Sequence, residues 1–149
     1  MTIEIRHGSL ADVLAIHQNI PEFDRPLSED MLLVRLENIE SLVLVAYNAE
    51  QAIGYKLGYA INEQEFYSWL GGVIPCARNQ GIANRLRQTQ ENWAQKKGYQ
   101  SISVKSMNQY PAMLHMLTSN GYQISGYENN GDLALNKICF VKRIMQLVG

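Results

Sequence analysis

From Val73 to Ala83 the sequence reads Val-Ile-Pro-Cys-Ala-Arg-Asn-Gln-Gly-Ile-Ala, passing from an apolar segment through a short loop into a helical pattern. The first amides of a helix have no partner inside it and its dipole places positive potential on them, so such a junction can hold a phosphate or pyrophosphate. Gly81 removes a side chain where an anion must approach the backbone, Ala83 keeps the next turn low, and Arg78 adds charge. Two other phosphate loops fail on residue type. The Walker loop requires Lys-Ser or Lys-Thr after its last glycine, where this chain has Ile82-Ala83, and the dinucleotide fingerprint requires three spaced glycines, where this loop has Gly81 alone. A bare strand-to-helix turn also calls for a glycine, so the pattern by itself leaves both readings open.

The elements that must position this loop follow from periodicity. Ile3 to Arg6 alternates as a strand, and Leu10, Val13, Leu14 and His17 then keep helical spacing behind a capping Ser9. Pro21 to Leu27 has no period. Ser28-Glu29-Asp30 opens a second helix with acids at the positive end of its dipole, and Leu32, Leu36 and Ile39 are its expected buried stripe. Ser41 to Tyr47 and Ala52 to Ile61, parted by Asn48 to Gln51, predict an antiparallel hairpin. Phe66 to Ile74 is a further strand, stopped by Pro75. Its Gly71-Gly72 predicts a bulge or close backbone approach, with a packing accommodation beside Trp69 as the alternative. Ile82, Leu86, Trp93 and Ala94 stripe a long helix that Lys96-Lys97-Gly98 closes. Ser101 to Ser106 reads as a strand and Pro111 to Leu117 as a helix ended by Asn120-Gly121. Gln123 to Glu128 and Lys137 to Arg143 form a closing hairpin. The class is mixed α/β (α+β), in the order β-α-α-β-β-β-α-β-α-β-β.

At Arg78-Asn79-Gln80-Gly81-Ile82-Ala83 the chain resembles the acetyl-CoA loop of the GNAT superfamily of N-acetyltransferases, which reads Arg or Gln, two residues, Gly, one residue, Gly or Ala. The likeness extends to Leu86, to Lys97-Gly98-Tyr99, to the strand Ile102 to Val104, to Asn120-Gly121-Tyr122, and to the element order over essentially the whole chain. The resemblance implies a single GNAT-like domain over residues 1–149. Its twisted mixed sheet of about seven strands would splay between strands four and five, flanked by about four helices. It further implies acetyl transfer from acetyl-CoA to a primary amine of a small molecule or peptide, by direct attack in a ternary complex. By position it rests the pyrophosphate on amides of Arg78, Asn79, Gln80, Gly81, Ile82 and Ala83, pairs the pantetheine arm with Val73 and nearby main chain, and adds Asn108 to the cofactor contacts.

Amine acetylation needs a neutral nucleophile, donors facing the developing oxyanion and a proton for the departing thiolate. Where many relatives carry a proton-donating tyrosine, four residues before the glycine closing the last helix, this chain has Leu117; Tyr110 and Tyr122 are the substitutes it allows. Where relatives carry a glutamate base, about ten residues before the loop arginine, it has Tyr67 and Ser68; Glu65 shares a strand face with Tyr67 and could act through a water, an exposed strand-end carboxylate being the alternative. His17 and His115 fall among apolar helix residues and read as packed histidines. In the implied fold the loop between the first two helices lines the acceptor entrance. Glu22, Asp24, Glu29 and Asp30 there, against Arg25 alone, predict an acceptor with positive charge near its amine.

A length of 149 residues, 46% hydrophobic and 18% charged, suits one domain that needs no staple. Cys76 and Cys139 form no CxxC pair and do not cluster with histidine, so no metal site is expected and the cytoplasm is the default compartment. Cys76 is expected to pack the loop rather than carry an acyl group. Thirteen basic against fourteen acidic residues, a net charge of -1, argue against nucleic acid or anionic membranes as partners. Neither Met1 to Arg6 nor any apolar run predicts a signal peptide or a bilayer span. The expected assembly is a monomer or homodimer. A rival of another class is a CoA-binding regulatory or interaction module that keeps the loop without the chemistry, motivated by Leu117.

Overall fold

The computed structural model describes residues 2–145. These form β1 (Ile3–His7), α1 (Leu10–Gln18), α2 (Glu29–Leu36), β2 (Ser41–Asn48), β3 (Gln51–Ala60), β4 (Glu65–Val73), α3 (Ile82–Lys97), β5 (Ser101–Met107), α4 (Pro111–Ser119), β6 (Gln123–Glu128) and β7 (Lys137–Arg143), with 3₁₀ turns at Pro75–Ala77 and Leu133–Leu135. Ser9 and Ser28 cap α1 and α2 by accepting the amides of Asp12 and Met31, and glycines in the left-handed region, Gly81 and Gly98, bound α3.

The strands make one sheet in the order β1-β2-β3-β4-β5-β7-β6. Its pairs are antiparallel except β4 with β5, which run parallel from Glu65 opposite Ser101 to Ser68 opposite Val104. Past Ser68 the two part. β4 continues through Val73 beside β3, and β5 continues through Met107 beside β7. The fork between the fourth and fifth strands is where the sheet opens.

The two faces of β3 show how the layers lie. Tyr55 meets His17 of α1, whereas its neighbour Lys56 stands beside Arg87 and Glu91 of α3. Val13, Ile16 and Leu32 fill the core from α1 and α2, and Ile82, Leu86 and Ala94 fill it from α3, around Leu57, Phe66, Ile102 and Phe140.

Three expectations need correction, and a fourth is narrowed to one of its alternatives. The α2 stripe is shorter than predicted: the helix ends at Leu36, Asn38 turns the chain at φ 57, and Ile39 is 39% exposed, so only Leu32 is fully buried. The bulge in β4 is not at Gly71-Gly72. Leu57 faces Leu70 and Gly58 faces Ser68, which leaves Trp69 as the extra residue. Gly72 instead permits a close approach, since a Cβ there would lie 2.5 Å from Ile20 Cδ1 and 2.8 Å from the Phe23 ring. Cys76 is exposed rather than packed into the loop, its neighbour Ala77 being the buried residue of the turn, and His115 is exposed too.

Candidate active site

Pro75 ends the β4 ladder, the 3₁₀ turn brings the chain round, and Asn79 (φ 63) and Gly81 (φ 77) then both take the left-handed conformation. Alternating backbone of this kind points successive amides into one concavity. The Arg78 amide is spent on the Pro75 carbonyl at 3.3 Å, and the Arg85 amide on the Gly81 carbonyl at 3.1 Å. Between them the amides of Asn79, Gln80, Gly81, Ile82, Ala83 and Asn84 have no backbone or side-chain acceptor among the described residues. A Cβ on Gly81 would meet nothing within 4 Å, so there is open room over the helix start. Such a cradle of free amides, where β4 ends beside the fork, could hold an anion.

The Arg78 side chain faces the other way. Its Nε donates to the Val73 carbonyl at 3.1 Å, and its terminal nitrogens grip both Glu22 oxygens at 3.1 and 2.6 Å. The hydrogen bond from Arg78 holds the Glu22 carboxyl below the usual carboxylate range. Glu22, expected to meet the acceptor, is therefore the tie between the α1–α2 loop and the cradle. The Ile74 amide bonds the Ile53 carbonyl on the β3 side at 3.0 Å, so strand alternation directs the peptide groups of Val73 and Gly71 to the opposite edge, which β5 has vacated.

Phe23 joins three pieces: it covers Gly72, its ring lies 5.1 Å from that of His17, and it meets Tyr110 edge-on at 6.2 Å. His17 holds the loop with Nε2 3.1 Å from the Arg25 carbonyl, a packed histidine as expected. Burial, with the nearby Asp24 charge adding, pushes the Tyr110 hydroxyl up. Asn108 donates its side-chain amide to the Leu133 carbonyl at 2.8 Å, bracing the β6–β7 connection.

On the α1–α2 face, over β4, β5 and β7, lies a cleft of about 410 Å³. It brings together the predicted Glu65 and Tyr67. Glu65 accepts a hydrogen bond from Ser103 Oγ at 3.1 Å, Tyr67 packs edge-on against Tyr59 at 5.5 Å, and burial pushes the Tyr67 hydroxyl up. Glu65 stands three residues before Ser68, roughly 10 Å from the fork at strand spacing, beyond direct reach of a proton there. Sequence reasoning missed the cleft's cations, Arg35, Lys105 and Lys137, because three separate elements deliver them. Glu29, in the exposed first turn of α2, is not among its walls.

Leu117 is buried at 3% exposure. Tyr122 donates to Glu91 at 3.0 Å, and burial beside that carboxylate pushes its hydroxyl far above the phenol range. Glu91 also receives Arg87 at 2.6 Å and Lys142 at 2.8 Å; burial opposes its charge, yet these hydrogen bonds outweigh burial and hold it below the usual range. Lys56 is buried on the same side, with Ser68 Oγ, Arg87 Nε and both amide atoms of Gln90 buried without partners among the described residues. This polar cluster under the fork was also missed. Its one sequence signal is a lysine between Tyr55 and Leu57 in an apolar strand.

Among the described residues no group of three or more His, Cys, Asp or Glu could hold a metal ion, and no helix is long and apolar enough to cross a membrane. The fold and the forked sheet define a class. The family model described as Acetyltransferase (GNAT) family matches residues 11–122, and the chain belongs to that family. Among solved structures it is similar to the ribosomal-protein-S18-alanine N-acetyltransferase of Escherichia coli, with a TM-score of 0.84 at 15% identity over 98% of this chain and 96% of that one. It also resembles the PaiA N-acetyltransferase of Thermoplasma acidophilum in complex with coenzyme A, with a TM-score of 0.75 at 18% identity over 96% and 99%. A GNAT family acetyltransferase of Elizabethkingia anophelis with acetyl-CoA bound gives 0.72 at 15% identity over 95% and 97%. At such identities the likeness is one of fold. No curated protein matches the chain in sequence.

Proposed function

We propose that this chain transfers an acetyl group from acetyl-CoA to a primary amine of a small molecule or peptide, by direct attack in a ternary complex. The observation that carries the reading is the run of free amides from Asn79 to Asn84, with open space before them, at the mouth of the fork. The cradle suits a pyrophosphate, and the vacated edge, with the Gly71 peptide and the Val73 amide open and the Val73 carbonyl held by Arg78, suits the amides of a pantetheine arm, which can add to a strand as a peptide does. The bound thioester supplies the activated acetyl group. The amine enters from the cleft on the other side of the fork, past Tyr67, and Glu65 takes up its proton through intervening water. The thiol of CoA, with a pKa of roughly 8.5 like a free cysteine, leaves without strong acid help, so Tyr110 assists at most modestly and Leu117 need not be a donor. Cys76 takes no part, and its exposed thiol suits a reducing compartment such as the cytoplasm.

A second reading, a CoA-binding module without turnover, is favoured by one feature, the buried Leu117 with Tyr122 tied to Glu91. Calorimetry with acetyl-CoA, alongside thiol release in a panel of amines, separates them. Tight binding lost in Gly81→Glu, together with amine-dependent thiol release, is the expected result. Binding without release favours the module, and unchanged binding in a folded Gly81→Glu protein moves the donor site elsewhere.

A further inference from the structure

Resting on the acetyltransferase reading, we infer that the acceptor is an amino carboxylate with an apolar or aromatic body, and that Arg35 and Lys137 receive its carboxylate. The charges of the cleft decide this against the cationic acceptor expected from the loop acids. Lys105 is already paired with Glu128 at 2.6 Å, and Glu65, which Ser103 holds but does not neutralise, is one carboxylate against two remaining cations. Arg35 and Lys137 line the cleft and make no ion pair among the described residues.

The two cations stand on opposite arms of the fork. Arg35 lies over the bulge residue Trp69 on the β4 arm, and Lys137 sits on β7 opposite Met107, on the β5 arm. An anion entering between them faces both.

The aromatic wall adds a second argument. Tyr59 and Trp69 meet edge to face at 5.7 Å, and such a wall draws cations. Its cation is already in place. The Arg35 guanidinium lies 4.8 Å from the Trp69 ring centre and 6.0 Å from that of Tyr59, and it donates to the Tyr59 hydroxyl at 3.0 Å. A substrate ammonium would find that position filled by a like charge. A guanidinium held this way has spent one of its donors and lost much of its freedom, so its remaining N–H groups are set for a planar, two-point acceptor. Because Trp69 adjoins the fork at Ser68, the carboxylate lies close to the reacting amine, as in an α-amino acid, and Tyr67 meets the apolar body.

The loop acids do not line this cleft, and Asp24, whose charge acts on Tyr110, is not among its walls. Glu22 is neutralised by Arg78, and Glu29 and Asp30 sit in the exposed first turn of α2.

The test compares kcat/KM for matched acceptors, leucine with leucinamide and phenylalanine with phenylalaninamide, each corrected for its fraction of free amine, in the wild type and in Arg35→Met, Arg35→Lys and Lys137→Met. A charge-assisted hydrogen bond corresponds to about ten- to a hundredfold. The carboxylates should therefore exceed the amides by about tenfold or more. Arg35→Met should raise KM for the carboxylates by a similar factor with kcat nearly unchanged, erasing the preference, and Arg35→Lys should restore part of it. Donor affinity by calorimetry should stay unchanged in each variant, and each should remain folded, with Arg35→Met melting a few degrees lower for its lost contacts to Tyr59 and Trp69. Equal use of acids and amides, preference for amides or cationic amines, or equal loss for both in Arg35→Met overturns the assignment while leaving acetyl transfer intact. Absence of turnover with every amine overturns the acetyltransferase reading, and this inference with it.

Discussion

Replacing Lys56 with methionine should stabilise the protein at neutral pH, and the gain can be worked from its surroundings. The side chain is buried between β3 and α3, next to Arg87, with Glu91 as the opposing charge. Burial first, and the like charge of Arg87 second, lower its ammonium from 10.5 to about 8 despite Glu91. Each tenfold loss of proton affinity is worth about 1.4 kcal/mol, so the charged lysine costs the fold about 3 kcal/mol. Below about pH 8 lysine is charged in both states and the full cost applies. Between about 8 and 10.5 the unfolded chain binds the proton that the native one has released, so stability rises with pH, and above 10.5 the cost is gone. Methionine keeps the length of the stem and carries no charge. Urea melts of the wild type and Lys56→Met, at pH 7 and again near 10.5, should show the variant ahead by about 3 kcal/mol at the first and level at the second. A variant less stable at pH 7, or a difference that ignores pH, refutes the reasoning and makes Lys56 a net stabilising partner of Glu91.

Gly81→Ala should cost about 1 kcal/mol in thermal melts, because φ 77 strains a side chain although none is obstructed, and should weaken acetyl-CoA binding less than Gly81→Glu does. Gly72→Ala should cost about 1–3 kcal/mol, since its Cβ drives into Ile20 and Phe23. Tyr122→Phe should lose about 1.5–3 kcal/mol of stability with the hydrogen bond to Glu91, and both it and Tyr110→Phe should lower turnover far less than the hundredfold expected of a general acid. Arg78→Ala should weaken acetyl-CoA in calorimetry less than Gly81→Glu does, because amides do the holding, and should free Glu22 for the pH titration of an ordinary surface carboxylate.

The loop was legible because its requirements are local: a proline to stop a strand, a glycine at positive φ, a helix directly behind. The element order was legible for the same reason, with Ser9, Ser28, Gly98 and Asn120 each marking an end by its own chemistry. What escaped depends on pairing across the sheet. The extra residue at Trp69 exists only relative to β3, and nothing in Ser-Trp-Leu-Gly-Gly distinguishes it from the glycines beside it. Glu22 looked like part of an acidic entrance because Arg78 is 56 residues away in sequence. The cationic cleft was invisible for a like reason: Arg35 and Lys137 come to line one cleft only after β7 inserts between β5 and β6. Residue types on one loop could be summed; charges gathered from α2, β5 and β7 could not.

The parallel joint of β4 and β5 reaches only from Glu65 to Ser68, and its shortness bears on how the molecule comes apart. On one side lie the antiparallel strands β1 to β4, with short turns joining β2, β3 and β4 and the two helices α1 and α2 joining β1 to β2, and on the other a smaller sheet of β5, β7 and β6. Such halves are natural cooperative units with a weak seam between them, so amide exchange should report sub-global opening at β5 to β7 before the larger half gives way. A donor seated in the fork would touch both units and bind only when they are docked. At a hundred times its dissociation constant it would add about 2.7 kcal/mol, and that increment would fall on the seam, merging two unfolding steps into one.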